Sequence, residues 1–338
     1  GCPPIDRYVL DFGPFVLDGR PRCAPGGRSA FCPRRTVLDK LLVDAAVEAG
    51  AELCEHFMVS DLLWEDGRVI GVRGWAEGGT EESERAGMVV GADGIHSLIA
   101  RRADAPSYNE RPPLAAFYYS YWSGVPVAGF EAYVRPGRSI AGFPTHDGLT
   151  CISVAWPHAE FEANRRDIEA NFLRGLELAP ELAERVRAGR RERRFAGATA
   201  GGFFRKPFGP GWALVGDAGY HKDPITGQGI GDAFRDAELL SNAVDAHLRG
   251  GRPYDEAMGA YEQARNAAVL AMYEFTCEVA SLAPPPPDMQ RLLEAVHGNQ
   301  AATDDFMGVI AGTVSPTSFF APANVQRILD GPASIPGQ

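Results

Sequence analysis

The sequence predicts a mixed α/β protein, α+β in its layering, and three stretches carry that reading. Residues 212–240, WALVGDAGYHKDPITGQGIGDAFRDAELL, pass from a short apolar run through a glycine-rich segment into helical periodicity. Residues 115–156 hold runs in which side chains alternate with period two, as in an antiparallel sheet. From residue 254 onward the pattern is helical. A chain of 338 residues can bury a large core, and its length suits two closely packed domains or one large one.

Residues 1–33 are rich in Pro and Gly, with a strand-like piece at 8–15. From Arg34 the text turns helical: Val37, Leu38, Leu41, Leu42, Ala45, Ala46 and Ala49 make one apolar face, and Gly50 supplies a C-cap. Residues 57–91 read as a small antiparallel meander of runs 62–64, 69–72 and 88–90, with Asp66-Gly67 as a hairpin turn and 77–85 as a polar spacer. The last run enters Gly91-Ala92-Asp93-Gly94-Ile95-His96-Ser97, a strand-turn-helix junction in which Ser97 is a natural cap. A second, mostly antiparallel sheet follows at 115–122, 132–134, 139–143 and 150–156. Its aromatic residues Phe117, Tyr118, Tyr119, Tyr121, Trp122, Phe143 and Trp156 should divide between core and the opposite face. Residues 161–187 look helical. After residue 240 come a helix from 254 to about 283, an elbow at Pro284, Pro285, Pro286 and Pro287, and a helix over 289–311.

Residues 212–215 are apolar and β-prone, and the run stops at Gly216-Asp217. Pro224, Gly227, Gly229 and Gly231 fall within eight residues, so the backbone can lie against a flat ligand without Cβ atoms in the way. The helix beyond places Ala233, Phe234, Ala237, Leu240, Ala243 and Val244 on one face, and its start aims unpaired N–H groups at the loop, which suits an anion.

Composition narrows the class. Apolar content of 45% and charged content of 23% are ordinary for a soluble globular protein. A formal charge of −11 disfavours nucleic acid and anionic membrane surfaces, both of which need a positive footprint. The basic run 185–194 reads as a solvated helix face. Cys2, Cys23, Cys32, Cys54, Cys151 and Cys277 form no CxxC pair and no metal-ligand spacing with the histidines, so reduced, mostly buried thiols and no metal site are expected. With no run of eighteen apolar residues and no signal-peptide pattern, a cytoplasmic protein without a membrane span is expected.

The string Gly216-Asp217-Ala218, Asp223-Pro224, Thr226-Gly227-Gln228-Gly229-Ile230 resembles the second flavin motif of the p-hydroxybenzoate-hydroxylase-like flavoproteins, a group that includes aromatic hydroxylases and geranylgeranyl-reductase-like enzymes. The resemblance implies FAD, with Asp217 on the ribityl chain and the loop of Pro224, Gly227, Gln228, Gly229 and Ile230 along the isoalloxazine. It extends to Asp93-Gly94, beside the flavin pyrophosphate, and to Arg35, which stands three residues before Leu38 in an Arg-x-x-Leu-x-x-Leu helix whose arginine meets the FAD phosphates. It implies a Rossmann-like FAD-binding domain, interrupted, over 1–105 and 204–250, an antiparallel-sheet substrate domain over 106–203, and a helical C-terminal region over 251–338. The family opens with a strand, a GxGxxG turn and a helix, and no such segment occurs here. An N-terminal extension of roughly 30 residues carrying it is therefore expected in the natural gene product.

No Ser-His-Asp order or paired carboxylates stand out, which fits chemistry borne by a cofactor. The leading expectation is an FAD-dependent monooxygenase that takes electrons from NADH or NADPH and hydroxylates an aromatic or apolar small molecule. Its alternative is a flavin-dependent double-bond reductase of a prenyl or lipid substrate. The tryptophan-rich motif of flavin-dependent halogenases is not found. A reading of another class is a truncated, non-catalytic remnant without FAD. His221, Lys222 and Asp223 stand on what reads as an exposed loop, where one of them would shuttle protons. A homodimer is open.

Overall fold

A computed structural model describes residues 1–22 and 29–331, and contacts group them into two units. One comprises Gly1–Lys40, Pro113–Ala200 and Glu274–Gln338; the other comprises Leu41–Pro112 and Gly201–Tyr273. Residues 1–40, placed by the sequence reading beside the flavin segments, group by contact with the sheet unit.

The first unit is built on an eight-stranded sheet. Strands Ala115–Ser123, Thr150–Pro157, Arg138–Pro144 and Phe130–Arg135 run antiparallel in that spatial order, and Tyr8–Asp11 joins Phe130–Arg135 in parallel. Period-two alternation sends Tyr118, Trp122, Ile152, Val154 and Trp156 to one face, where they pack with Phe172, Leu176, Leu182 and Val186 of the helices Ile168–Leu176 and Pro180–Ala188. These two helices divide what the sequence presents as one helical stretch, because Asp167 caps the first and Pro180 opens the second. The opposite face is aromatic: Phe117 and Tyr119 stack at 6.2 Å between ring centres, Tyr119 and Tyr121 meet edge to face at 5.9 Å, and Phe143 stacks on Phe130 at 6.0 Å. The basic run is less solvated than expected, since Arg185 makes a two-pronged pair with the buried Glu131. Beyond the proline elbow the helical tail divides into Pro287–His297 and Gln300–Ala311, interrupted at Gly298 and Asn299, the latter capping the second helix.

In the second unit, Met58–Glu65, Arg68–Trp75 and Glu81–Arg85 form the meander, with Asp66 and Gly67 both at positive φ in the first turn. The third strand corrects the sequence reading. Glu81–Arg85 is wholly exposed and polar, so it carries no apolar signal, while Val89–Gly91 leaves the meander to pair in parallel with Trp212–Leu214. Leu62, Val69, Val89, Ile99, Trp212 and Leu214 share one core, and Ala213, Leu240, Ala257, Met258 and Tyr261 share another.

Two further expectations are corrected. The helix Arg35–Glu48 forms as periodicity predicts, yet none of its residues is buried; no described residue covers its apolar face closely enough to bury it. Among the described cysteines only Cys151 is buried, and Cys54 is exposed, because most of these thiols fall on loops or helix faces rather than in the sheet core. Cys23 lies outside the described residues.

Candidate functional site

The parallel pair Val89–Gly91 and Trp212–Leu214 brings the two motif loops together. Both strands end on the same side, where Val215 N–H donates to Gly91 O at 3.0 Å, so residues 92–97 and 216–219 leave neighbouring strands side by side. In open parallel sheets that carboxyl-end edge is where ligands are held. Arg205, which pattern reading missed, ties the loops: its Nη1 donates to Ala218 O at 2.8 Å and its Nη2 to Ile95 O at 3.3 Å. Arg265 is 0% exposed and supports that tie, donating to Gly219 O, Arg205 O and the Tyr108 hydroxyl, each at 3.0 Å. Both arginines act through backbone carbonyls, so no residue spacing announces them.

In the first loop Asp93 Oδ2 accepts from Leu98 N–H at 2.6 Å and Ile99 N–H at 3.2 Å, while Ser97 caps the helix Leu98–Arg102 through Ala100 N–H. Asp93 is thus engaged at a helix start. Gly94 has φ +76° with nothing within 4 Å of the Cβ position, and this left-handed turn suits glycine. In the second loop Gly216 is buried at φ +55°, and its N–H donates to Asp236 Oδ2 at 3.1 Å. Asp217 is exposed between buried neighbours, so its carboxylate stands out of the turn. Arg35 belongs to the other unit, exposed and paired with Asp39.

Pro224, Gly227 and Gly229 are exposed and Gln228 and Ile230 half-buried, on a loop made of the short turn Pro224–Thr226, a left-handed Gly227 at φ +67°, and the start of the helix Gly229–Leu248. A Cβ at Gly227, Gly229 or Gly231 would meet nothing within 4 Å. Glycine inside a helix costs about 1 kcal/mol relative to alanine, and internal packing gives no reason for Gly229 and Gly231. The N-cap residue Gln228 makes no side-chain capping bond, so the helix start is left to other partners. Open space over glycine, an uncapped helix start and a projecting carboxylate fit a flat, polyhydroxylated, anionic ligand such as FAD.

The structure corrects the reading of residues 221–223 as solvated. Lys222 and Asp223 are only 6% and 8% exposed. Lys222 Nζ bonds Asp232 Oδ2, whose partner oxygen takes Arg235 Nη2, and burial pushes the Lys222 ammonium down from its ordinary pKa. Asp223 accepts from Ile225 N–H at 3.0 Å, and the half-buried His221 places Nδ1 3.0 Å from Gly201 O. The buried positions of the long helix are Asp232, Asp236 and Leu240, one turn apart, and Phe234, expected on the apolar face, is 47% exposed. Asp236 has no exposed surface, and burial pushes its carboxyl up to about 6, with Arg265 and Arg235 pulling it back.

Residues 24–276 match the family described as FAD binding domain. The chain belongs to this family of FAD-binding oxidoreductases. Among curated relatives, the digeranylgeranylglycerophospholipid reductase of Methanocella arvoryzae is 26% identical over 244 residues, covering 70% of this chain and 60% of that protein. The chain thus spans little more than half the length of curated relatives such as this one and a Methanococcoides burtonii reductase of the same name, of which it covers 54%. Among solved structures, the flavin-dependent brominase Bmp2 superposes with a TM-score of 0.77 at 17% identity, covering 98% of this chain and 82% of that one. PqsL, a probable FAD-dependent monooxygenase from Pseudomonas aeruginosa, gives 0.67 at 21% identity, covering 92% and 82%. At these identities the two structures share the family's fold. No helix among the described residues is long and apolar enough to cross a membrane.

Proposed function

We propose that the chain is an FAD-dependent oxidoreductase that draws electrons from NADH or NADPH and delivers them to an apolar substrate, with reduction of a carbon–carbon double bond in a prenyl or lipid chain as the favoured reaction. One arrangement carries the flavin reading: two motif loops leaving adjacent parallel strands at the same end, beside glycines whose Cβ positions face open space. Reduction is favoured over hydroxylation by the name of the curated relatives, which are reductases of a digeranylgeranyl lipid. A flavin bound there supplies two-electron transfer, which no side chain can supply.

The chain's own residues bind and orient. Asp217 accepts from ribityl hydroxyls, and Gly227, Gln228, Gly229 and Ile230 let the ring lie on backbone. The start of the Gly229–Leu248 helix offers N–H donors to negative charge. Asp93 holds the turn that presents Gly94 toward the pyrophosphate. In domain terms, residues 1–105 and 204–250 hold FAD, 106–203 shape the substrate site and 251–338 form the helical region. The half-buried ladder Phe117, Tyr119 and Tyr121 offers an apolar substrate an aromatic wall.

Absorbance of the purified protein after addition of FAD tests the first step, and a chain that stays colourless refutes it. Consumption of NADPH with a polyprenyl substrate, with and without oxygen, then decides the reaction. Reduction proceeds anaerobically, whereas hydroxylation requires oxygen.

A further inference from the structure

Residues 223–231 are held in an unusual way. Their middle is exposed or half-buried and belongs to no strand ladder, while both ends, Lys222 with Asp223 and Asp232, are buried. Within the loop Ile225 N–H donates to Asp223, and Gly227 N–H to Pro224 O at 2.8 Å. The ends are joined by the Lys222–Asp232 pair, whose side chains are 4% and 10% exposed, so one ion pair closes the loop across ten residues. Arg235 takes the second carboxylate oxygen and fixes the orientation of Asp232. The Lys222 Nζ lies 5.1 Å from the Tyr220 ring centre, and Asp217 acts on it electrostatically.

Fold stability alone does not account for this pair. Removing an ammonium and a carboxylate from water is costly, and an apolar pair of similar volume commonly serves a fold as well or better. What an ion pair adds is geometry, because Asp232 holds Lys222 with one carboxylate oxygen and Arg235 with the other. The loop so fixed is the one whose glycines face open space.

We propose that Lys222, Asp232 and Arg235 form a latch that holds residues 223–231 in their ligand-receiving shape before FAD arrives, with Lys222 as a positioning residue that sets FAD affinity. This rests on the flavin reading given above. The latch works by preorganisation: ordering a backbone residue on binding opposes affinity, and a loop already ordered avoids that opposition. Freeing one or two residues in the ligand-free protein should weaken FAD roughly ten- to a hundredfold.

The test uses the full chain, FAD titration, thermal unfolding without FAD, and hydrogen exchange at the Ile225 and Gly227 amides. Lys222→Met should weaken FAD about tenfold or more and speed exchange at those two amides, while the unfolding temperature of the FAD-free protein stays close to that of the parent because Asp232 keeps Arg235 as its partner. Lys222→Arg should recover most of the affinity, and Arg249→Gln, which breaks an exposed pair near the far end of the same helix, should change nothing. Unchanged FAD affinity and unchanged loop exchange in Lys222→Met overturn the latch. A Lys222→Met protein that fails to fold without FAD, or loses stability as fast as affinity, also overturns it and assigns the pair to the fold. A parent protein that binds no FAD sinks the flavin reading first, and the latch with it.

Discussion

Asp236 makes a measurable demand on this fold. Its carboxyl has no exposed surface, one oxygen accepts the Gly216 N–H at 3.1 Å, and the other has no hydrogen-bond partner among the described residues. Burial disfavours the charged form and pushes the group up to about 6 from 3.8, against the pull of Arg265 and Arg235. The folded protein therefore keeps a proton here at pH values where the unfolded chain has already lost it. As pH rises from about 4 to about 6 the native state gives up that advantage, and stability falls; above about 6 the deficit is constant. At 1.36 kcal/mol per pH unit, the gap from 3.8 to about 6 amounts to about 3 kcal/mol.

Asp236→Asn removes the titration and keeps an acceptor for Gly216. The amide brings unpaired buried donors that cost about 1 to 3 kcal/mol, but this cost does not vary with pH. The decisive quantity is thus the difference between variant and parent as a function of pH. It should shift toward the variant by about 3 kcal/mol between about pH 4 and about pH 8. Exchange of the Leu214 amide, which is bonded to Pro207 O in the core beside the loop, reports opening of this unit without assuming that the whole chain unfolds at once. A difference that stays flat across that range would mean that Asp236 ionises in the folded protein as freely as in the unfolded one, and the account of its burial would be wrong.

Other outcomes follow from the same geometry. Asp217→Ala should weaken FAD by the loss of a hydrogen bond of roughly 1 to 3 kcal/mol, read by FAD titration, while leaving unfolding unchanged because the side chain is exposed. Gly229→Ala should separate stability from binding: the new Cβ meets open space in a helix and stabilises the fold by about 0.5 to 1 kcal/mol, yet it intrudes where the ring is to lie and lowers FAD affinity. Trp156→Ala, at 2% exposure in the sheet core, should cost about 3 to 5 kcal/mol in urea unfolding.

The parts of the fold legible in the sequence are those written in periodicity and in the chemistry of turns. Alternation across residues 117–122 gave the two faces of the sheet strand, with Tyr118 and Trp122 in the core and Phe117, Tyr119 and Tyr121 opposite. Asp66-Gly67 marked the first hairpin of the meander because both residues can take positive φ. The strand Glu81–Arg85 was hidden because an exposed edge strand of Glu, Ser and Arg buries nothing, so its pairing with Arg68–Trp75 leaves no hydrophobic trace.

The site shows a sharper division. Its exposed half is the part that pattern singled out: Pro224, Gly227, Gly229 and Gly231 lie exposed, the Cβ positions of the three glycines face open space, and Asp217 stands out of its turn. Its supporting half, Arg205, Lys222, Asp232, Asp236 and Arg265, was not, and each is a charged residue that pattern reading assigns to solvent. All but the half-buried Arg205 are buried, and Arg205, Asp236 and Arg265 share one physical reason for their place. A loop outside any strand ladder leaves backbone N–H and C=O groups that still require partners, and here side chains provide them: Asp236 for Gly216 N–H, Arg205 for Ala218 O and Ile95 O, Arg265 for Gly219 O. The buried charges of Lys222 and Asp232 are met differently, by each other, with Arg235 on the second carboxylate oxygen. Acidic residues one turn apart at the start of the helix that follows such a loop are therefore to be read as its internal supports, and Asp232 with Asp236 is the instance this sequence contains.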